Sequence, residues 1–196
     1  MPSSTAGYRR AMGKVFEGID DKLARFMTSQ PVFFVATAPL SPDGHVNCSP
    51  KGNRDEFVVL SPRTVAYLDQ TGSGSETIAH IRENGRIIVM FCAFNGPPRI
   101  VRLHGTGGCI AADEPGFDEI AGRFAARGVG VRSVITVAVE RIADSCGYGV
   151  PIMDFREHRP TMDQWSERKG SEGIREYQEE KNRTSIDGLA SLELSQ

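Results

Sequence analysis

The sequence predicts a mainly β protein with short helices, in which an antiparallel sheet closes into a barrel. Three observations favour this class: many short strands, short turns between most of them, and few long helices between consecutive strands. A doubly wound parallel sheet is disfavoured because it needs a crossover helix after nearly every strand. The predicted strands, rich in β-branched and aromatic residues, cover residues 31–38, 45–48, 57–60, 65–69, 86–94, 99–112 and 131–143.

The elements around these strands follow from local signals. Ile19, Leu23 and Met27 recur at helical spacing, which predicts an amphipathic helix that ends before the following proline. The Ser-Pro-Asp-Gly run at residues 41–44 is typical of a turn, so it connects the two arms of a hairpin. Helical character returns at residues 114–127, ahead of the last predicted strand.

The domain organisation follows from length and from a shift in composition. At 196 residues the chain has the length of one domain with an appended tail. Residues 1–17 predict a flexible N-terminal arm, and residues 18–143 hold the predicted barrel. A Gly/Pro linker opens the C-terminal extension, residues 144–196, whose charged stretch at 161–181 predicts a helix. Because the extension is too polar to form its own core, we expect it to pack on the barrel or on a second subunit.

Composition and charge exclude several classes of function. The net charge of −2 argues against nucleic-acid binding, which usually needs a basic face. No apolar run approaches the ~20 residues of a membrane-spanning helix, and the N-terminus lacks the apolar segment of a signal peptide. The four cysteines form no CxxC pair and the four histidines show no metal-ligand spacing. We therefore expect a cytoplasmic protein without a membrane anchor, a metal site or a nucleic-acid partner.

The loop after the fourth predicted strand has the character of a phosphate-binding site. Four hydroxyl side chains surround the expected start of a short helix there: Thr71, Ser73, Ser75 and Thr77. Free backbone N–H groups and the helix dipole attract anions at such a position. Ser73 and Glu76 fit a capping box, with Ser75 as an alternative N-cap. The P-loop lysine and the third glycine of the dinucleotide fingerprint are missing, and a capped connection without a ligand is the alternative.

Three basic side chains are candidates for contacts to such an anion or to a partner subunit. Lys51 follows Ser49 at a strand end, which brings a cation and a hydroxyl together, although an ordinary surface lysine is the alternative. Arg99 and Arg102 are three residues apart, so a strand places them on opposite faces and only one of them meets a ligand or a second subunit. The G-x-S-x-G elbow of hydrolases is absent, so hydrolysis is not indicated.

Three segments, in this order and spacing, resemble one family: SPKG at residues 49–52, YLDQTGSGSETIAHIRENGRIIVMF at 67–91 and GPPRIVRLHGTG at 96–107. They are similar to the pyridoxamine 5'-phosphate oxidase-related group of flavin-binding split-barrel proteins, over roughly residues 17–143. The resemblance implies an antiparallel split β-barrel that binds FMN at a homodimer interface. The C-terminal extension resembles that of one uncharacterised branch of the group.

The resemblance also implies where the cofactor lies. The flavin phosphate would be held around two adjacent strands and the following helix start, by Ser49, Lys51, Tyr67, Asp69, Ser73, Ser75 and Thr77. The isoalloxazine ring would lie along the strand that carries Asn47, Cys48, Ser49 and Pro50. Arg99 and Arg102 are the candidates for a contact to the cofactor from the second subunit, and Thr71 remains a candidate from the loop itself.

Two departures from the true oxidase bear on the substrate. Glu76 and Thr77 stand where the oxidase has an Arg-Lys pair after its serine, so the phosphate charge has to be met by Lys51 or by an arginine of the partner chain. The oxidase also ends in an Arg-x-His substrate motif, whereas here Arg156 and His158 lie well before the chain end. Pyridoxamine phosphate is therefore not the expected substrate.

The expected function is that of an FMN-dependent oxidoreductase acting on an unknown small molecule, with the flavin supplying the chemistry. This suits a chain in which no cluster of catalytic side chains is recognisable. The alternative is a non-catalytic module of the same fold that binds flavin, or that binds haem with His104 or His80 as axial ligand. A barrel without a ligand, acting as a structural or interaction protein, is the third hypothesis.

Overall fold

A computed structural model describes residues 13–53, 55–125 and 127–194 of the chain. The described part contains eight strands: β1 (Val15–Phe16), β2 (Phe33–Thr37), β3 (Asn47–Lys51), β4 (Phe57–Ser61), β5 (Thr64–Gln70), β6 (Arg86–Cys92), β7 (Ile100–Ala111) and β8 (Val131–Ser145). Its helices are α1 (Asp21–Thr28), α2 (Glu76–Asn84), α3 (Phe117–Ala121) and α4 (Thr161–Lys181). Residues 1–12 of the predicted N-terminal arm lie outside the described residues, while β1, at the end of that segment, pairs with β8.

The strands form one antiparallel sheet in the order β3-β2-β6-β7-β8-β5-β4. The sheet curls until its two ends meet, because Phe33 of β2 and Phe57 of β4 have ring centroids only 5.5 Å apart. Both rings also pack on Phe91 of β6, inside the barrel. No backbone pairing among the described residues joins the edge strands β3 and β4, so the barrel is open along that line. The predicted antiparallel split barrel is confirmed.

Apolar side chains that alternate along the strands fill the barrel interior. Helix α1 closes one side of it with Leu23 and Met27, and the helix begins at Asp20, whose carboxylate accepts a hydrogen bond from the Leu23 N–H at 2.7 Å. A second, smaller cluster covers the outer face of β5, where Leu68 packs with Phe117 of α3. Strand β5 is therefore covered on both faces.

Two elements differ from the prediction made for residues 45–48 and 114–127. Strand β3 continues to Lys51, because Pro50 lies on an edge strand, where the missing N–H donor is tolerated. The helix predicted at residues 114–127 is present only as the short α3, because Gly116, with a φ of 91°, precedes α3 and Gly122 ends it. Strand β1 was not predicted, because two residues are too few to show a period.

The C-terminal extension packs on the barrel of its own chain. Helix α4 is interrupted at Gly170, where φ is 65° and ψ is 175°, and the chain beyond α4 inserts Leu192 into the barrel core. Asn182 Nδ2 donates to the Gly72 carbonyl oxygen at 2.8 Å, which fixes this segment to the loop before α2. Among the described residues, no helix combines the length and the apolar character that crossing a membrane would require.

Replacing Leu192 by alanine should lower the free energy of unfolding by about 2–4 kcal/mol, because the substitution leaves a cavity in the core. Urea denaturation measures the change. Ile186→Ala is the matched control in the same segment, since this side chain is 70% exposed and its loss should change stability by less than about 0.5 kcal/mol. Equal effects of the two substitutions would contradict the insertion of the extension into the core.

Candidate functional site

A cleft of about 1320 Å³ lies between the open edge of the barrel and the C-terminal extension. On the barrel side it is lined by residues 49–53 of β3 and its end, by the loop at residues 70–74, and by Arg132 of β8. On the other side it is lined by residues 153–159 and by Trp165, Arg168 and Tyr177 of α4. The extension therefore forms one wall of the cleft.

A buried cluster of three charged residues, Lys51, Asp69 and Arg132, lies on the barrel side of the cleft. Asp69, at the end of β5, is fully buried, and its Oδ1 accepts a hydrogen bond from Lys51 Nζ at 2.8 Å. Its Oδ2 accepts one from Arg132 Nε at 2.7 Å. Strands β3 and β5 are not neighbours in the sheet, so the Lys51–Asp69 pair bridges the split of the barrel.

A β-bulge brings Arg132 into this cluster. The register between β5 and β8 pairs Asp69 with Ser133 and Gln70 with Val131, which leaves Arg132 without a directly opposite residue on β5. Such bulges redirect a side chain, and this one directs the guanidinium group to Asp69. Arg132 is buried and lines the cleft, yet its Nη1 has no hydrogen-bond partner among the described residues.

The electrostatics of the cluster favour an anionic ligand. Burial alone would raise the pKa of Asp69, but the charges of Arg132 and Lys51 and their hydrogen bonds lower this pKa to about 2. Asp69 is therefore an anion at neutral pH, and it is paired with two cations, Lys51 and Arg132. Lys51 and Arg132 both line the cleft, where their positive charges suit a phosphate or carboxylate.

The loop before α2 presents only part of the predicted phosphate site to the cleft. Ser73 is exposed and lines the cleft together with Gly72 and Gly74. Thr71 also lines the cleft but is buried, and its Oγ1 accepts a hydrogen bond from Gln178 Nε2 at 2.7 Å. The loop therefore offers one free hydroxyl and a glycine backbone.

The Ser75 side chain bonds to the C-terminal extension and does not cap helix α2. It occupies the N-cap position of α2, yet its side chain makes no capping bond, and its Oγ donates to the Thr184 carbonyl oxygen at 3.3 Å. Its own carbonyl oxygen accepts a hydrogen bond from Ser191 Oγ at 2.8 Å. The predicted capping box on Ser73 is wrong, because contacts with the C-terminal extension set the conformation of this loop.

The side chains of β3 divide between a polar network and the cleft. Asn47 Nδ2 donates to Thr77 Oγ1 at 2.9 Å, and Ser49 Oγ donates to Asn47 Oδ1 at 3.0 Å. These three side chains, which were predicted to contact the cofactor, thus hold β3 against α2. Ser49 and Pro50 line the cleft. Cys48 is exposed and is not among the lining residues.

Three predicted site residues lie elsewhere in this chain. Arg99 is buried, with Nη2 3.2 Å from Asp144 Oδ2, and Arg102 Nη1 donates to Ser145 Oγ at 2.9 Å. Neither arginine lines the cleft of its own chain. Tyr67 lies fully buried inside the barrel, where burial raises its pKa well above the ordinary value.

The two histidines considered for haem also lie away from the cleft. His80 is fully buried and its Nδ1 shares a hydrogen bond of 2.9 Å with Thr37 Oγ1, and His104 lies on β7. Neither side chain lines the cleft. Within the described residues, His, Cys, Asp and Glu form no group of three or more that could hold a metal ion.

Several cleft residues were not predicted from the sequence. Arg132 stands in an alternating apolar strand, where a charged residue at a buried position is the signal that could have identified it. Trp165 and Tyr177 form an edge-to-face pair at 5.1 Å on the extension. Arg156 and His158, whose place in the sequence argued against a role, both line the cleft because the extension folds back over it.

The fold and the cleft define the class: a split-barrel protein with a cleft suited to an anionic small molecule. The family model described as pyridoxamine 5'-phosphate oxidase matches residues 19–146, and the chain belongs to this family. A relative from Aspergillus flavus, the pyridoxamine 5'-phosphate oxidase family protein ustO, is 41% identical over 192 residues, which cover 90% of this chain and 77% of the relative.

Solved structures show more distant similarity. HupZ of Group A Streptococcus is 22% identical with a TM-score of 0.48, covering 63% of this chain and 91% of HupZ. The FAD binding protein of Mycobacterium smegmatis is 13% identical with a TM-score of 0.44, covering 67% of this chain and 95% of that protein.

The ion cluster makes a pH-dependent contribution to stability. Because the pKa of Asp69 lies near 2 in the folded protein against an ordinary 3.8, its contribution is present above pH 3.8 and is lost as the pH falls through 2. Asp69→Asn should cost about 3 kcal/mol or more at pH 7, since Lys51 and Arg132 lose their buried counter-charge. About 2 kcal/mol of that difference should vanish between pH 5 and pH 2.

Chemical denaturation of both proteins across this pH range measures the effect. Asp118→Asn is the control, because this carboxylate pairs with Arg127 at the surface and its side chain is 84% exposed. The control should differ from wild type by less than about 1 kcal/mol, with little pH dependence. A constant difference between wild type and Asp69→Asn down to pH 2 would contradict the lowered pKa.

Proposed function

We propose that this protein binds FMN in the cleft and acts as a flavin-dependent oxidoreductase on a small molecule. The observation that carries the proposal is the Lys51–Asp69–Arg132 cluster, in which two cations pair with Asp69 and the guanidinium Nη1 has no partner among the described residues. A buried donor without a partner is costly, and a phosphate oxygen would satisfy it with a charge-assisted hydrogen bond. Membership of the pyridoxamine 5'-phosphate oxidase family supports the choice of a flavin.

The residues present fit FMN at both ends. Lys51, Arg132, the Ser73 hydroxyl and the backbone of Gly72 would hold the phosphate. The ring would lie along Ser49 and Pro50 of β3, facing the aromatic wall of α4. At about 1320 Å³ the cleft exceeds the ~300–1,000 Å³ of ordinary ligand pockets, so it has room for a substrate beside the cofactor.

Bound FMN would supply hydride or electron transfer, and the protein would supply binding, orientation and shielding from water. The extension carries the shielding role, since Trp165, Tyr177 and Phe155 form its apolar lining of the cleft. Arg156, Arg159 and Arg168 line the same wall and add positive charge that would orient an anionic group of the substrate.

The recognition of phosphate predicts how flavin affinities change on substitution. Arg132→Lys keeps a positive charge beside Asp69 but removes the free Nη1 donor, so FMN should bind about 10–100-fold more weakly. Riboflavin has the same ring without the phosphate, and its affinity should change by less than about threefold. Quenching of flavin fluorescence measures both affinities, and absorption of the purified protein shows whether flavin is already bound.

Arg141→Lys is the matched control, because Arg141 is an exposed residue of the same strand and should leave both affinities unchanged. An equal loss of FMN and riboflavin affinity in Arg132→Lys would show a structural role for Arg132. Wild-type protein that binds neither flavin would overturn the proposed cofactor.

Repeated reduction and reoxidation of bound FMN would distinguish an oxidoreductase from a flavin-storage protein. An oxidoreductase would reduce bound FMN with a physiological donor and reoxidise it with an acceptor at a useful rate, whereas a flavin-storage module would hold FMN unchanged. Stopped-flow absorbance at the flavin band, with nicotinamide donors and a panel of small-molecule donors, distinguishes the two. Bound FMN that never turns over would favour the non-catalytic alternative.

A homodimer with the flavin at the subunit interface is part of the proposal. Its support is a set of large apolar side chains exposed beside the cleft: Tyr148, Ile152, Met153 and Phe155. Exposed apolar groups gathered in this way mark interaction surfaces. Sedimentation equilibrium should give twice the mass of 21.4 kDa, and Ile152→Glu, a change at an 83% exposed residue, should shift the protein towards monomer.

A further inference from the structure

Two buried carboxyl groups lie beside Lys51 in the wall of the cleft, and their surroundings differ. Asp69 has two cations, whereas Glu56, which is 5% exposed, is bonded to amides. Glu56 Oε1 accepts hydrogen bonds from Gln70 Nε2 at 2.6 Å and from Asn53 Nδ2 at 3.1 Å. No described cation lies within ion-pair distance of Glu56, because the Lys51 ammonium group pairs with Asp69.

Glu56 also has access to ligand. It lies directly before β4, at the split of the barrel, and it lines both the main cleft and a second cavity of about 450 Å³. Lys51, Asn53 and His158 line both cavities as well, so Glu56 belongs to the wall between them. Glu56 therefore lines the part of the cleft where a substrate would lie beside the cofactor under the proposed function.

We propose that Glu56 is the catalytic proton acceptor and donor of the cleft. The inference rests on the proposed function and names the residue that completes it. Removing a hydride from a C–H bond next to an O–H or N–H group also requires the loss of a proton, and nothing in the ion cluster can take it. Asp69 is locked as an anion between two cations, whereas Glu56 is free to change its charge.

The environment of Glu56 supports this role. Burial raises its pKa above the ordinary 4.5, and this effect outweighs the hydrogen bonds from Gln70 and Asn53. The charges that face it act in both directions: Lys51 on β3 lowers its pKa, and Asp163 on α4 raises it. Two neighbouring carboxyl groups whose pKa values are pushed apart are a recurring arrangement of acid–base sites.

In the proposed oxidation, the substrate loses a proton to Glu56 and a hydride to the oxidant. The heteroatom–hydrogen bond of the substrate breaks, its proton bonds to a carboxylate oxygen of Glu56, and the bonding pair becomes part of the new double bond to carbon. A bound flavin would supply the oxidant that accepts the hydride of the neighbouring C–H bond. The substrate thus loses one hydride and one proton, and Glu56 returns its proton to water or to the reduced acceptor.

The first test needs no flavin. Infrared difference spectra of the flavin-free protein during a pH titration should show a carboxyl band that titrates above the ordinary glutamate pKa of 4.5. The band should be lost in Glu56→Gln. It should be unchanged in Glu157→Gln, the matched control, because Glu157 lines the same cleft but is exposed. A band that persists in Glu56→Gln, or titrates at the ordinary pKa in wild type, overturns the proposal.

The second test uses bound FMN as the probe. The midpoint potential of bound FMN should change its pH dependence at the pH where the infrared band titrates, and this inflection should be absent in Glu56→Gln. Glu56→Asp, which keeps a carboxyl group, should retain an inflection at a shifted pH, and thermal melting shows that each variant is folded. A wild-type potential without the inflection overturns the catalytic role. Failure to bind FMN at all overturns the proposed function and leaves the infrared result standing.

Discussion

The ion pair between Lys51 and Asp69 is the constraint on which the geometry of the cleft depends. It crosses the opening between β3 and the other end of the sheet, where no backbone pairing is described. An edge strand held only on one side is free to shift, but a buried charge that loses its partner costs about 3–5 kcal/mol. The pair therefore fixes β3 in place, and Arg132 fixes Asp69 from the opposite side.

The C-terminal extension forms hydrogen bonds with most of the polar groups of the loop before α2. Gln178, Asn182 and Ser191 bond to Thr71, Gly72 and Ser75 in turn. The same extension lines the cleft with Trp165 and Tyr177, while Lys51 and Arg132 line it from the barrel. One segment thus decides both which loop groups stay free and how large the cleft becomes.

The sequence predicts the strands well, because alternation of buried and exposed residues is a local signal. Lys51 and Ser49, which were chosen from a short run of recognisable composition, both line the cleft. Arg132 could not be found in that way, since its position depends on a bulge that appears only when β5 and β8 pair. The capping box on Ser73 failed for a similar reason: its competitors come from residues more than a hundred positions away.

Under the proposed function, the bulge also explains how the chain would hold an anion without the Arg-Lys pair of the true oxidase. Glu76 stands in place of that arginine, and its carboxylate lies so close to Gly74 that a Cβ there would clash with it. A phosphate at the helix start would meet this negative charge, so the favourable place for it is further from the helix, beside Gly72 and Ser73. There Ser73 faces the cleft, and Lys51 and Arg132 supply the charge. Under the proposed function, a residue from β8 thus takes over the electrostatic role of the residues missing from α2.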